Sequence, residues 1–213
     1  MSPSRIRPLL LAAALVGWSN RVAPKLPPRW QVPVHAVLGG LLVASTDAPL
    51  GLRPPASGCG VRLGLGVACA VSVAVATSTA VPAVRRSMTL REVPASAVGW
   101  LLVRIPIGTV WPEEAAFRAA LGTLAARSFG PKWGRILQAT AFGLSHVADA
   151  RGADETVLGT AVVTGVVGWA FGGLYDRSGS IAAPMLVHLS INEVAAVAAL
   201  AVKRQGLIVS SPI

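Results

Sequence analysis

Long apolar runs separated by short basic loops constrain this chain more than any other feature. Residues 61–84, 156–175 and 181–202 are each about as long as the roughly 20 apolar residues a helix needs to cross a bilayer. Of the 213 residues, 53% are hydrophobic and only 13% charged, and the mean hydropathy is +0.62. An ordinary globular domain is far more polar than this. The pattern predicts an all-α fold: a polytopic transmembrane bundle of seven or eight helices around a membrane-embedded polar cavity. With 16 prolines and 22 glycines the helix reading survives, because membrane spans tolerate both.

The charge points the same way. A net charge of +10 raises nucleic acid as a partner, but Lys and Arg fall between apolar runs and form no continuous face. Anchoring at lipid headgroups explains them better, so the bilayer is the expected partner and nucleic acid is not. Cys59 and Cys69 offer neither metal spacing nor a disulfide framework. Ten residues apart on one helix, they stand about 15 Å apart, too far to bridge.

In chain order, Arg5 and Arg7 precede a short apolar run at 8–18, which resembles a signal peptide without a clear cleavage site; Asn20 and Arg21 follow it. A short first span is expected there, then a loop rich in proline and base at 20–30. The second run, 31–50, carries His35, expected at headgroup level. Arg85, Arg86, Arg91 and Glu92 mark a basic interface after the third run. The fourth, 94–111, is interrupted by Arg104, which snorkels or pairs with an acid. Pro112 has no N–H to give the carbonyl of Gly108, so either two segments meet there or one long bent helix continues. The chain reads as a single membrane domain over 1–213, with motif-free spans in 1–92 and the chemistry-bearing helices in 93–204.

The chemistry starts directly after Pro112. Glu113, Glu114 and Arg118 lie between apolar runs, and a charge at mid-bilayer costs roughly 3 kcal/mol or more unless it faces protein or a wet cavity. Glu114 and Arg118 are four apart with the acid first, the favoured order for a helical ion pair. Glu113 points about 100° away and finds no partner on its own helix. One carboxylate is thus structural and the other available as a general base.

Two of the three histidines also lie in apolar helices. Phe142 and His146 are four apart on one face; His188 and Asn192 are four apart on another. Lipid cannot satisfy their hydrogen bonds, so they should converge on each other or on water. In such a cluster Glu113 takes a proton from water, and His146 orients that water or protonates the leaving group. His188 and Asn192 donate to the oxyanion. Ser145, next to His146, points away on a helix, and Asp149 is either an acceptor for His146 or a helix-end charge. Zinc held by Glu113, His146 and His188 is the alternative to a metal-free site, although no His-Glu-x-x-His motif is present.

Taken in order, Glu-Glu-x-x-x-Arg at Glu113, Glu114 and Arg118, Phe-x-x-x-His at Phe142 and His146, and His-x-x-x-Asn at His188 and Asn192 resemble the CAAX protease and bacteriocin-processing family of intramembrane proteases. The resemblance covers about 112–192. It implies Glu113 as base, Glu114 and Arg118 as a supporting pair, His146 as the second water-binding group, and His188 with Asn192 as the oxyanion site. It implies a conical cavity open to the cytoplasmic side. Ala119 departs from the pattern, standing where many members have glycine. The expected function is hydrolysis of a peptide bond in a membrane-associated or lipidated protein or peptide, without a cofactor unless zinc is used. The expected location is a bacterial plasma membrane, given a chain rich in Ala, Val and Arg. Two other classes compete: a non-catalytic scaffold that keeps the helices to bind a partner, and a small transporter, which the lack of repeat symmetry disfavours.

Overall fold

The computed structural model describes residues 3–90 and 93–209, with side chains from 5 to 204; Arg91 and Glu92 of the expected basic interface lie outside the described residues. Every regular element among them is helical. The helices are α1 (Pro3–Gly17), α2 (Pro28–Thr46), α3 (Ala56–Ser78), α4 (Pro82–Leu90), α5 (97–129), α6 (Pro131–Ser145), α7 (Val147–Gly152), α8 (Val157–Ser178) and α9 (Ala182–Val209). Helix α1 continues as a turn of π-helix over Trp18–Val22.

Three helices are long and apolar enough to cross a membrane: Ala56–Ser78, Val157–Ser178 and Ala182–Arg204. Only 17% of each of the first two spans is buried in the protein, at hydropathies of 1.9 and 1.7. Leu65, Val73, Leu158, Val163 and Val166 point outward along them. Such surfaces suit lipid, not water, and the chain is a membrane protein. The expected seven or eight helices rested on counting apolar runs. Among the described residues length and hydropathy single out three crossings, and the count of seven or eight is not confirmed.

Helix ends follow local chemistry. The side chain of Ser96 caps α5 by accepting from the N–H of Gly99 at 3.0 Å. At the other end Gly130 has φ +81°, and Pro131 starts α6 at once. Glycine adopts that backbone freely, and proline fits the first turn of a helix.

Pro112 does not break α5. The backbone is helical at Val110, Glu113 and Glu114, so the run is continuous from 97 to 129. Residues Trp100–Val110 and Glu114–Leu121 are wound as π-helix, with the N–H of Trp111 reaching the carbonyl of Pro106. Pro106 and Pro112 each remove a donor, and the wider winding lets the run pass both.

Packing then places the site. Ala12 of α1 joins Ala116, Phe117 and Leu121 of α5 and Ala141 and Phe142 of α6 in one buried cluster. A second cluster joins Ala68 of α3, Phe171 and Leu174 of α8, and Ala183 and Val187 of α9. Among lipids such contacts hold by close packing more than by expelling water, which favours small residues. Gly168 and Gly172 serve this: a Cβ would stand 2.7 Å from the Phe142 ring at the first and 2.8 Å from Gln138 Oε1 at the second. On the other side of α5, the indole N–H of Trp111 donates to the Ala36 carbonyl at 3.0 Å. A Cβ on Gly39 would meet Pro112 Cα at 3.1 Å. Helix α2 is thereby seated against the turn that carries Glu113.

Candidate active site

Glu114 and Arg118 form the expected ion pair, Oε2 to Nε at 3.2 Å, with both side chains wholly buried. The guanidinium lies 3.8 Å over the Phe142 ring and 5.0 Å from the Phe171 ring. Three of the chain's four phenylalanines gather here, since Phe117 meets Phe142 edge to face at 5.2 Å. Cation–π contact takes over from hydrogen bonds, because none of the Arg118 nitrogens has a hydrogen-bond partner among the described residues. The other Glu114 oxygen accepts from His188 Nδ1 at 2.8 Å. That contact joins α5 to α9 across 74 residues of sequence.

Glu113 takes the other side of the turn. It keeps 28% of its side chain exposed and lines a cavity of about 560 Å³. Its Oε2 is 3.8 Å from His188 Nε2 and has no hydrogen-bond partner. His188 thus stands between two carboxylates, with one ring nitrogen on each.

His146 lies on the same cavity as Glu113. It sits at a break between α6 and α7, with φ −94° and ψ 8°. Its Nδ1 donates to the Phe142 carbonyl at 2.8 Å. A carbonyl has no proton to give, so Nδ1 carries the hydrogen, and Nε2 is an acceptor in the neutral ring. Edge-to-face contact with Phe142, centroids 4.7 Å apart, fixes the ring plane. Ser145 does not point away as expected: the helix break brings its Oγ to 3.2 Å from His146 Nδ1. Its proton nevertheless goes to the Phe142 carbonyl at 2.7 Å, and with Nδ1 already protonated His146 cannot take it. Asp149 lines the cavity beside these groups. Lost hydration pushes its carboxyl above the usual carboxylate range, with His146 pulling it down and Glu113 pushing it up.

Asn192 follows His188 by one turn on α9, half-buried, with no hydrogen bond to the other motif residues. Neither His188 nor Asn192 is part of the cavity lining, and of the two His188 approaches Glu113, at 3.8 Å. Among the described residues no three His, Cys, Asp or Glu side chains are placed to hold a metal ion. Glu113, His146 and His188 are accordingly not gathered as a ligand set.

Several contributors were missed in the sequence. His35 and Arg104 line the cavity, with Leu11, Leu15 and Trp18 of α1 and Gln31 of α2. Asn20 matters more than its loop context suggested. Its amide donates to the Leu144 carbonyl at 2.9 Å and accepts from the Ala148 N–H at 2.7 Å. Those two groups flank His146, so one side chain bridges the break. The detectable signal was periodicity: Gln31, His35, Leu38, Gly39 and Leu42 form one stripe of α2. Nothing local marks Asn20 or Phe171.

The fold and the site together define a helical membrane protein with a buried acid–imidazole–guanidinium cluster open to a cavity on one side. Residues 95–194 match the Rce1-like family, described as type II CAAX prenyl endopeptidase Rce1-like. That match agrees with the resemblance drawn from the three motifs, and the matched segment contains all seven motif residues. No curated protein and no solved structure matches the chain.

Proposed function

We propose that this protein is an intramembrane endopeptidase that hydrolyses a peptide bond of a membrane-associated or lipidated protein or peptide, in a bacterial plasma membrane. The observation that carries the reading is the division of labour between adjacent carboxylates. Glu114 is wholly buried against Arg118 and His188, while Glu113 keeps 28% of its side chain exposed and lines the cavity. The family match supports protease chemistry.

In this reading a water between Glu113 and His146 is the nucleophile. Its oxygen bonds to the carbonyl carbon as its proton passes to Glu113, and the carbonyl π electrons move onto oxygen. The reading assigns the oxyanion to His188 and Asn192 of α9, which requires the substrate carbonyl to reach past Glu113 and the His188 ring to carry a proton on Nε2 as well. Collapse restores the C=O and breaks the C–N bond; Glu113 returns the proton to the departing nitrogen, giving an amine and a carboxylic acid. His146 holds the water through Nε2. Glu114 keeps His188 oriented, and Arg118 offsets the charge of Glu114 throughout. General-base assistance of this kind contributes typically 10²–10⁴-fold.

The test is Glu113→Gln in protein reconstituted with a pool of lipidated and unmodified apolar peptides, products read by mass spectrometry. Wild type should release defined fragments, and the variant should be at least about 100-fold slower with an unchanged unfolding temperature. Equal rates in a folded variant remove the proposal.

A further inference from the structure

The cavity has a second polar end that the chemistry above does not use. Arg104 lines it from α5, and Gln31 and His35 line it from one face of α2. Arg104 donates to Gln31 Oε1 at 3.3 Å, and no carboxylate stands within ion-pair distance of it among the described residues. The acids that share the cavity, Glu113 and Asp149, do not pair with it. His35 leans edge to face on Trp18, centroids 6.2 Å apart, and its Nε2 is buried without a hydrogen-bond partner. A guanidinium and an amide thus meet in a part of the cavity apart from Glu113, Ser145, His146 and Asp149, with the His35 ring on the same face of α2 as Gln31.

From this end we infer that Arg104, Gln31 and His35 form a carboxylate-binding subsite of the cavity. The guanidinium supplies charge and paired donors, a fork that matches a carboxylate. The Gln31 amide, already held to Arg104, keeps that fork turned toward α2. His35, one turn along α2 from Gln31, completes the wall beside them. Arg104 is exposed and has no carboxylate beside it among the described residues, so an anionic guest can reach its guanidinium directly. The ligand class is a carboxylate on an apolar peptide, either its free C-terminus or an acidic side chain. Arg104 and Glu113 are nine residues apart on one helix, roughly 13 Å along its axis, or less where it is π-wound. A guest touching both needs about four extended residues.

This inference rests on the peptide-cleaving reading only for its occupant, and binding tests it separately from cleavage. The probes are the N-acetylated tetrapeptide Leu-Val-Ile-Ala as free acid, its C-terminal amide, and the amide of Leu-Glu-Ile-Ala. Binding is measured calorimetrically to the full chain in phosphatidylcholine nanodiscs, with wild type, Glu113→Gln and Arg104→Gln. The free acid should bind about tenfold or more tightly than the amide. Arg104→Gln should level the two by weakening the acid alone, and Gln31→Met should give part of that loss. Tight binding of the Glu-containing amide assigns the subsite to a side chain; weak binding assigns it to the terminus. Equal affinities of acid and amide in wild type overturn the inference. So does an equal loss for both in Arg104→Gln, which marks a structural role. So does loss of the preference in phosphatidylglycerol discs, which gives Arg104 to lipid phosphate. Acid preference without cleavage counts against the endopeptidase alone; cleavage without acid preference counts against the subsite alone.

Discussion

Arg118 shows what a single residue must do when its charge is buried. It has one carboxylate at 3.2 Å, two aromatic faces, and no hydrogen bond from its nitrogens. Removing it leaves Glu114 buried without its countercharge. Arg118→Leu should therefore lower stability by about 3–5 kcal/mol, read as a fall in the unfolding midpoint in detergent. Glu114→Gln together with Arg118→Leu should recover part of that loss, because the unpaired charge goes too. At this scale the sequence was readable where partners share a helix. Glu114 and Arg118 are four apart, and the spacing alone predicted their contact. The tie from Glu114 to His188 was not readable, because nothing local specifies which of several apolar helices will lie opposite. For the same reason nothing in the sequence singled out Phe171.

At the scale of elements, the site is held by helices that depart from ideal winding. The π-wound stretches bracket Glu113, and the break between α6 and α7 falls on His146. Asn20 spans that break from the end of α1. Asn20→Ala removes both hydrogen bonds and frees the backbone on each side of the imidazole. Turnover of a cleaved peptide should fall about tenfold or more with little change in KM. The His146 ring resonances should broaden in NMR while those of His188 stay put. A change confined to KM, or equal broadening at both histidines, assigns Asn20 a general packing role. Hydropathy foresaw the apolar runs well but not these irregularities. It left open whether α5 stops at Pro112, because the missing donor permits either a break or a wider turn. It also put Ser145 on the wrong side, since a regular helix was assumed through a residue where the helix ends.

For the whole molecule, residues 95–194 contain every motif, but a large share of the cavity wall comes from outside them. Leu11, Leu15 and Trp18 of α1 and Gln31, His35 and Leu42 of α2 face the same space as Glu113. Residues 93–204 expressed without 1–92 should then fail to give a monodisperse species in detergent, and should cleave nothing. Co-expression with 1–92 as a separate chain should restore both; size-exclusion chromatography and the peptide assay read the outcome. The motifs were found because chemistry restricts residue type. The wall was missed because leucine, glycine and alanine look the same whether they face lipid or substrate.

The two long sides of that cavity are unlike each other. One is aliphatic along α1 and much of α2; the other presents a guanidinium, a hydroxyl and a carboxylate along α5. A visitor with grease on one flank and exposed amides on the other fits in a single roll angle. Turned over, it would press hydrocarbon on ionic groups and strand its own peptide dipoles. Rotational sorting of this kind admits a broad range of side chains yet presents the same backbone edge to Glu113 each time.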